Sequence, residues 1–485
     1  MKKSVAKNYI YNLAYQMLVL ILPLITTPYV SKVLGAAGIG IYSYTLSIAT
    51  YFILFGSLGI AMYGQREIAY IRDNLEKKSL TFWEIVIVRL STMSISLLLY
   101  ILIFANGENY NVYYKILIIE LIANALDISW FFQGLEEFKK TVIRNTIVKI
   151  ISVICIFTII KNSTDLWLYI LIYAVSNLLG NLSLWMYLPK YLKKVRYKEL
   201  NFKKHILPII SLFIPQIAMQ VYLVVDKTML GNILGDMSEV GNYEQSQKII
   251  KTALTVVTAL GTVVAPRIAN IISNNDKKEV EKYLENSFRF VWLLGLPIML
   301  GLIATSRTIV PWFLGVGYEK SISLVMIGAP LIIAIGLSNV TGIQFLIPAK
   351  KQKAFTKSVV IGAILNFVLN LIFIPYFKSA GALTASIIAE LAIVIVQLLE
   401  VKKDIDIRII LNNVHKYLIS AIIMFIPVYI FGLCQEPTII TTFIQVILGG
   451  LIYGLILIVL KDSFVLDKVE VFKEKILKNN KNDKV

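Results

Sequence analysis

Charge is scarce in this sequence: 16% of its 485 residues are Asp, Glu, Lys or Arg, and 57% are hydrophobic. A soluble domain carries about a quarter charged residues. There are two cysteines and two histidines. Cys155 and Cys434 stand alone in or beside apolar segments, and His205 and His415 are just as isolated near expected helix ends. These counts leave no disulfide framework and no metal site of recognisable spacing, and no cofactor is expected. The sequence contains no GxxxxGK[ST] phosphate loop, so ATP hydrolysis within this chain is not expected. No Ser/His/Asp constellation can be assembled either. Long polar loops are also missing, which leaves no room for a separate catalytic domain. These absences point away from an enzyme and toward a secondary transporter.

What fills the sequence is apolar runs, and the mean hydropathy is +0.73. A helix needs roughly 20 apolar residues to cross the hydrocarbon of a bilayer, and such runs recur about fourteen times. They include 9–31, 39–63, 357–377 and 380–401. The expected fold class is an all-α polytopic membrane protein. The first apolar run leads directly into the next with no small-residue cleavage site, so it reads as a retained span rather than a removed signal peptide. Pro23, Pro28, Pro208, Pro215 and Pro297 fall inside spans, where neighbouring helices can satisfy the carbonyls that a proline frees.

The net charge of +18 would suit a nucleic-acid binder, but its distribution argues otherwise. Lys and Arg gather in alternate connections: Lys2, Lys3 and Lys7, then Arg66 to Lys78, Lys139 to Arg144, and Lys190 to Lys204. Further groups lie at Arg267 to Arg289, Lys350 to Lys357 and Lys402 to Lys416, and in the tail. The intervening edges hold little beyond Lys32, Lys115, Lys161, Arg307, Lys320 and Lys378. Under the positive-inside rule this asymmetry places both termini in the cytoplasm of an inner-membrane protein and favours an even number of spans. Nucleic acid is not an expected partner. The basic end 462–485 reads as a solvated or lipid-surface tail.

An internal repeat organises the chain. Leu34-Gly35 precedes Gly40-Ile41-Tyr42, and Leu234-Gly235 precedes Gly241-Asn242-Tyr243. Arg66 follows Gly40, and Arg267 follows Gly241, at the same separation; Gly59 and Gly261 fall in step. The expected domains are a six-helix bundle over 1–200 and a second over 201–404. Spans thirteen and fourteen occupy 405–461, and the tail 462–485 follows. Both halves cross in the same sense, so they are expected to be parallel repeats related by a pseudo-two-fold along the membrane normal, with a pathway between them.

Ionisable residues within spans are functional candidates, because each costs several kcal/mol to place there. Along the eighth span Glu244, Lys248, Lys251, Thr255, Thr258 and Thr262 step alternately by four and three, which puts them on one helix face. The threonines alone read as interhelical hydrogen-bonding groups, and Glu244 and Lys248 as an i, i+4 pair. The two lysines one turn apart read as part of a wet pathway. Glu120, Asn124 and Asp127 repeat the pattern in the fourth span, Asp226-Lys227 lies near the end of the seventh, and Glu390 lies within the twelfth. Arg89 and Lys149 can face a lumen or snorkel to headgroups. Asn366 and Asn370 form a further polar pair that packing explains as well as a substrate would.

Several segments then carry a resemblance. Thr27-Pro28-Tyr29-Val30-Ser31-Lys32-Val33-Leu34-Gly35 with Gly38-Ile39-Gly40-Ile41-Tyr42-Ser43, and Leu126-Asp127 through Glu137-Phe138, are similar to bacterial O-antigen and capsule polysaccharide flippases. Asp226 to Gly231 and Gly381-Ala382 through Ala389-Glu390 resemble the same family. It sits within the multidrug/oligosaccharidyl-lipid/polysaccharide exporter superfamily. The resemblance implies two six-helix bundles around a cavity and two extra helices. It implies as substrate an oligosaccharide on a polyprenyl diphosphate, moved by alternating access. Lys248 and Lys251, with Arg89 and Lys149 behind them, would meet the diphosphate, and Thr255 and Thr258 would suit sugar. Coupling to H+ or Na+ is expected to use Asp127, Glu120, Glu390, Asp226 and Glu244. Membrane lipid and polysaccharide polymerase or assembly proteins are the other partners this implies. The rival readings are an exporter of organic cations, whose lumen should be acidic rather than lysine-lined, a membrane enzyme of polysaccharide assembly, and a non-transporting scaffold of the cell envelope.

Overall fold

In the computed structural model, residues 5–107, 109–273, 276–462 and 466 are described. Most of the basic tail expected over 462–485 therefore lies outside the described residues. Every regular element among them is helical. Nine of the helices are long and apolar enough to cross a membrane, or up to eleven when each bent pair is taken as one span. Two of the nine are long enough for two crossings each. One runs Ile21–Ile71 and the other Gln352–Val401. Leu58 (φ 47°) interrupts the first near its C-terminal end, and each has a break further in, at Gly35 (φ 67°) and Lys378 (φ 52°). The Gly35 and Lys378 breaks fall between the runs 9–31 and 39–63 and between 357–377 and 380–401, where the apolar pattern places a turn.

The chain divides into two compact units. The first comprises the chain up to Glu244 with Leu314–Gly317 and Phe367–Ala382. The second comprises Gln245–Phe313, Tyr318–Asn366 and the chain from Leu383.

The first unit contains α1 (Val5–Ser57), α2 (Ile60–Ile71), α3 (Leu75–Phe104), α4 (Asn111–Ala125), α5 (Ser129–Gly134), α6 (Phe138–Ile159), α7 (Leu166–Trp185) and α8 (Lys203–Leu234). Its apolar residues are partitioned as lipid demands. On α3, Met93 and Tyr100 are buried, while Ile95, Leu98 and Leu102 are more than half exposed. In water such a face would be a liability, but against hydrocarbon it costs nothing. The Trp130-Phe131-Phe132 run of α5 is wholly buried among Phe82, Ile85 and Leu184. Gly64 makes that possible, since a Cβ there would collide with the Trp130 ring. This stretch, part of the Leu126 to Phe138 segment that carries the resemblance, is therefore a packing knot.

The second unit contains most of α9 (Met237–Ser273), then α10 (Lys277–Leu314), α11 (Glu319–Gly328), α12 (Leu331–Ser338), and a π-helical stretch Asn339–Leu346. The greater part of α13 (Gln352–Val401), α14 (Val414–Leu433) and α15 (Ile439–Val459) complete it. The last two helices are pinned along α10 by polar side chains. Arg289 meets Asp462 at 3.5 Å and Tyr417 Oη at 3.3 Å; Trp292 Nε1 donates to Ile410 O at 2.7 Å. Thr308 Oγ1 donates to Gln445 Oε1 at 2.6 Å, and Trp312 Nε1 to Thr442 Oγ1 at 2.8 Å. In an apolar solvent such interhelical hydrogen bonds specify a partner face that hydrophobicity cannot.

Candidate functional site: a polar network in the first unit

The network begins where α4 stops. A helix end leaves unsatisfied carbonyls, and in hydrocarbon each must find a donor. Arg89 on α3 supplies two: its Nε and Nη2 both donate to Asn124 O, at 3.1 and 2.6 Å. Asn181 Nδ2 on α7 donates to Ala123 O at 2.7 Å, and Trp185 Nε1 to Leu126 O at 2.8 Å. A cation at a helix C-terminus is also favoured by the helix dipole. Arg89 is 3% exposed, and its Nη1 has no partner among the described residues. It does not snorkel.

The sequence places Glu120, Asn124 and Asp127 on one continuous helix face, and the structure differs. The helix ends at Ala125, so Asp127 falls in the break, where its Oδ1 accepts from Ser129 N, the first residue of α5, at 2.8 Å. Glu120 stays within α4. Its carboxylate accepts from Asn124 Nδ2 at 3.2 Å and, on both oxygens, from Asn177 Nδ2 at 3.1 Å. The break is a local consequence of Asp127, whose short side chain competes with the helical backbone.

Three tyrosines that sequence reasoning left aside as site residues cluster together, and one of them, Tyr42, lies toward Glu120. Tyr42 and Tyr169 have ring centroids 5.2 Å apart, Tyr42 and Tyr173 6.2 Å, and Tyr169 and Tyr173 5.1 Å. The Glu120 and Glu244 carboxylates are both within electrostatic reach of the Tyr42 hydroxyl. Glu244 itself pairs with Lys227 at 2.5 Å, a contact from α8 that the i, i+4 reading with Lys248 does not contain. The signal that could have found Tyr42 is its place in the repeated Gly-x-Tyr.

Asp226 forms a second knot in this unit. It is 6% exposed, and it accepts from Asn370 Nδ2 at 2.6 Å and from the Tyr243 hydroxyl. Asn366, in the second unit, donates to Ser386 Oγ at 3.3 Å. Lys149 is half-buried on α6.

A third cluster corrects the reading of His205 as isolated. It is 2% exposed and hydrogen-bonds Glu84 Oε2 at 2.8 Å and Tyr63 Oη at 2.7 Å. Glu84 also meets Lys204 Nζ at 2.8 Å and accepts from Asn201 N at 2.7 Å. Sequence reasoning missed Glu84 altogether.

The remaining candidates belong to the second unit. On α9, Lys248 is half-buried and Lys251 exposed. Thr255 Oγ1 donates to Thr252 O at 2.6 Å and Thr258 Oγ1 to Leu254 O at 3.2 Å, so each hydroxyl proton is spent on its own helix. The helix bends by about 40° between Ala259 and Val264, close to Thr262. Glu390 is 7% exposed within α13.

Known proteins carry this arrangement further. The family model described as "polysaccharide biosynthesis protein" matches residues 5–272, more than half of the chain. The chain belongs to the polysaccharide biosynthesis protein family. A second model, "lipid II flippase MurJ", matches residues 143–449 of this family member. A protein of Escherichia coli (strain K12) described as an O-antigen transporter is 25% identical over 408 residues, covering 83% of this chain and 98% of that protein. The lipid II flippase MurJ of Bacillus subtilis (strain 168) is 22% identical over 160 residues, covering 32% of this chain and 29% of that protein. Among solved structures, MurJ in an inward closed conformation superposes with a TM-score of 0.75 at 16% identity, covering 95% of this chain and all of that one. An inward-facing multidrug MATE transporter gives 0.59 at 12% identity, covering 80% and 98%. The fold of this family member is thus that of MurJ and the MATE transporters, and the named relatives are transporters and flippases rather than catalysts.

Proposed function

We propose that this chain is a flippase that carries polyprenyl-diphosphate-linked oligosaccharide repeat units from the inner to the outer leaflet of the bacterial cytoplasmic membrane. The product would feed capsule, O-antigen or exopolysaccharide synthesis. The observation that carries this reading is the similarity to the O-antigen transporter, which runs across 98% of that protein. A bare diphosphate cannot enter hydrocarbon without a large desolvation cost, so a flippase must offer cations and donors along a shielded path.

Lys248 and Lys251 are the proposed diphosphate ligands, Thr255 and Thr258 the hydroxyl-bearing neighbours, and Lys149 a secondary cation. Arg89, fixed to the end of α4, acts by positioning that terminus. The carboxylates Asp127, Glu120, Glu390, Asp226 and Glu244 are proposed to couple transport to H+ or Na+. The rest of the reading is fourteen crossings with both termini cytoplasmic, bundles over 1–200 and 201–404, two further spans over 405–461, and contact with polymerase or assembly proteins. Counting each of the two broken helices as a pair of crossings raises eleven spans to thirteen, and α8 is proposed as the fourteenth.

The test is a deletion strain complemented with wild type or with Lys248→Ala/Lys251→Ala, scored for the leaflet that holds lipid-linked oligosaccharide. Cytoplasmic accumulation in both the deletion and the double variant is expected. Accumulation in the deletion alone would retain the function and remove the lysines. Normal export without the protein, with altered drug tolerance, would favour the organic-cation exporter that the MATE-like fold also accommodates.

A further inference from the structure

A groove of about 460 Å³ runs between α6 and α7 of the first unit. Its walls are Ile143, Ile147, Val148 and Leu179, and three of these are 41%, 52% and 60% exposed (Ile143, Ile147 and Leu179). One end is formed by Lys140, Arg144, Ser183 and Tyr187, and no acidic residue is among those that line it. A site with apolar walls and a doubly cationic end has the polarity of a phospholipid.

Both cations are held in place. The Lys140 ammonium lies 4.0, 5.1 and 5.7 Å from the ring centroids of Tyr191, Tyr187 and Phe132, and it donates to the Tyr191 hydroxyl. Arg144 Nη1 donates to Asn181 Oδ1 at 2.6 Å. An interfacial lysine ordinarily extends toward water and keeps its rotamer freedom. Here the aromatic rings hold it beside the groove, and cation–π attraction contributes to that. Gly180 keeps the groove narrow at its base, since a Cβ there would press on Val148 Cγ2 at 3.0 Å. From Lys140 to Ile147 is about 10 Å of helix at 1.5 Å per residue, so the walls run inward from the charged end as an acyl chain would.

We propose that this groove binds one anionic glycerophospholipid of the surrounding bilayer, with its phosphate on Lys140 and Arg144 and an acyl chain along Ile143, Ile147 and Leu179. Charge complementarity selects an anion, and the apolar walls select a lipid over a free phosphate. Mass action selects the phospholipid over any carrier lipid, because the bulk bilayer component is present in large excess. The bound lipid braces more than the groove. Asn181, which holds Arg144, also satisfies Ala123 O at the broken end of α4. Occupancy is thereby linked to the Arg89 and Glu120 network.

The experiment uses the full chain purified in detergent, with native mass spectrometry and thermal unfolding after addition of phosphatidylglycerol or phosphatidylcholine. Wild type is expected to retain one phosphatidylglycerol at least fivefold more tightly than phosphatidylcholine and to unfold at a higher temperature with it. Lys140→Gln is expected to erase that preference. Leu179→Trp fills the groove from an exposed position and leaves both cations intact; it is expected to lose the bound lipid while its lipid-free unfolding temperature stays at the wild-type value. Equal retention of the two lipids, or unchanged retention in both variants, overturns the proposal. So does displacement of phosphatidylglycerol by glycerol phosphate, which would mark a headgroup site alone. Displacement by an equimolar polyprenyl phosphate would overturn it in favour of a carrier-lipid site.

Discussion

Gly40 and Gly241 pack backbone against backbone. A Cβ on Gly40 would lie 3.0 Å from Gly241 N and overlap the carbonyl oxygen of Met237. One on Gly241 would lie 3.1 Å from Gly40 N and overlap that of Ala36. These are the two glycines that the internal repeat aligns, and the Leu-Gly steps before them share a positive φ, 67° at Gly35 and 66° at Gly235. The ψ angles differ, at 174° and −6°, so the two copies turn the chain differently before reaching the same contact. Small residues let membrane helices approach closely where hydrophobicity gives no drive.

Gly40→Ala or Gly241→Ala should therefore force helices apart. Overpacking of this kind costs about 1–3 kcal/mol, read as a fall in unfolding temperature in detergent. Gly454→Ala, where a Cβ meets nothing within 4 Å, should leave that temperature unchanged. An equal response in all three would dismiss the contact.

The membrane fold was legible because hydropathy is summed over long windows, and even the breaks at Gly35 and Lys378 fall in the short gaps between apolar runs. The side-chain partnerships were not legible. Glu84 and His205 meet across 121 residues, and nothing local in either sequence neighbourhood announces the other. The Glu120, Asn124, Asp127 face failed for a local reason: periodicity assumes an unbroken helix, and Asp127 terminates it. The threonine spacing on α9 predicts a shared face, but spacing cannot say whether a hydroxyl is spent on its own backbone.

The Glu84 cluster should be the costliest polar site to break in the first unit. Glu84 meets His205, Asn201 N and Lys204 at once, and each buried partner left unsatisfied costs about 1–3 kcal/mol. Glu84→Ala is expected to lower the unfolding temperature sharply, whereas Glu400→Ala, whose partner Lys403 is exposed, should barely change it. Comparable shifts for the two variants would show that Glu84 contributes no more than a surface charge.

Asp127 separates a structural from a coupling role by its choice of replacement. Asp127→Asn keeps an oxygen for Ser129 N, and Asp127→Ala removes it, at about 0.5–1.5 kcal/mol for a lost hydrogen bond. Stability should therefore fall only in the alanine variant. Flipping measured across pH and sodium gradients should change in the asparagine variant as well. An unchanged gradient dependence would take Asp127 out of the coupling set.

Arg89 offers the sharpest division between positioning and substrate contact. Its Nε and Nη2 share one carbonyl, Asn124 O, a forked geometry that an ammonium cannot reproduce. Arg89→Lys keeps the charge and loses the fork, so the α4 terminus should lose about 1.5–3 kcal/mol of charge-assisted hydrogen bonding. The expected result is a lower unfolding temperature, with flipping per folded molecule reduced because Glu120 and Asn124 shift with the helix end. Arg89→Gln, which retains donors but no charge, should then recover part of the stability. If it recovered stability while flipping stayed lost, and Arg89→Lys did the reverse, the charge rather than the fork would be what transport needs. Arg89 would then belong with Lys248 and Lys251 as a ligand of the diphosphate.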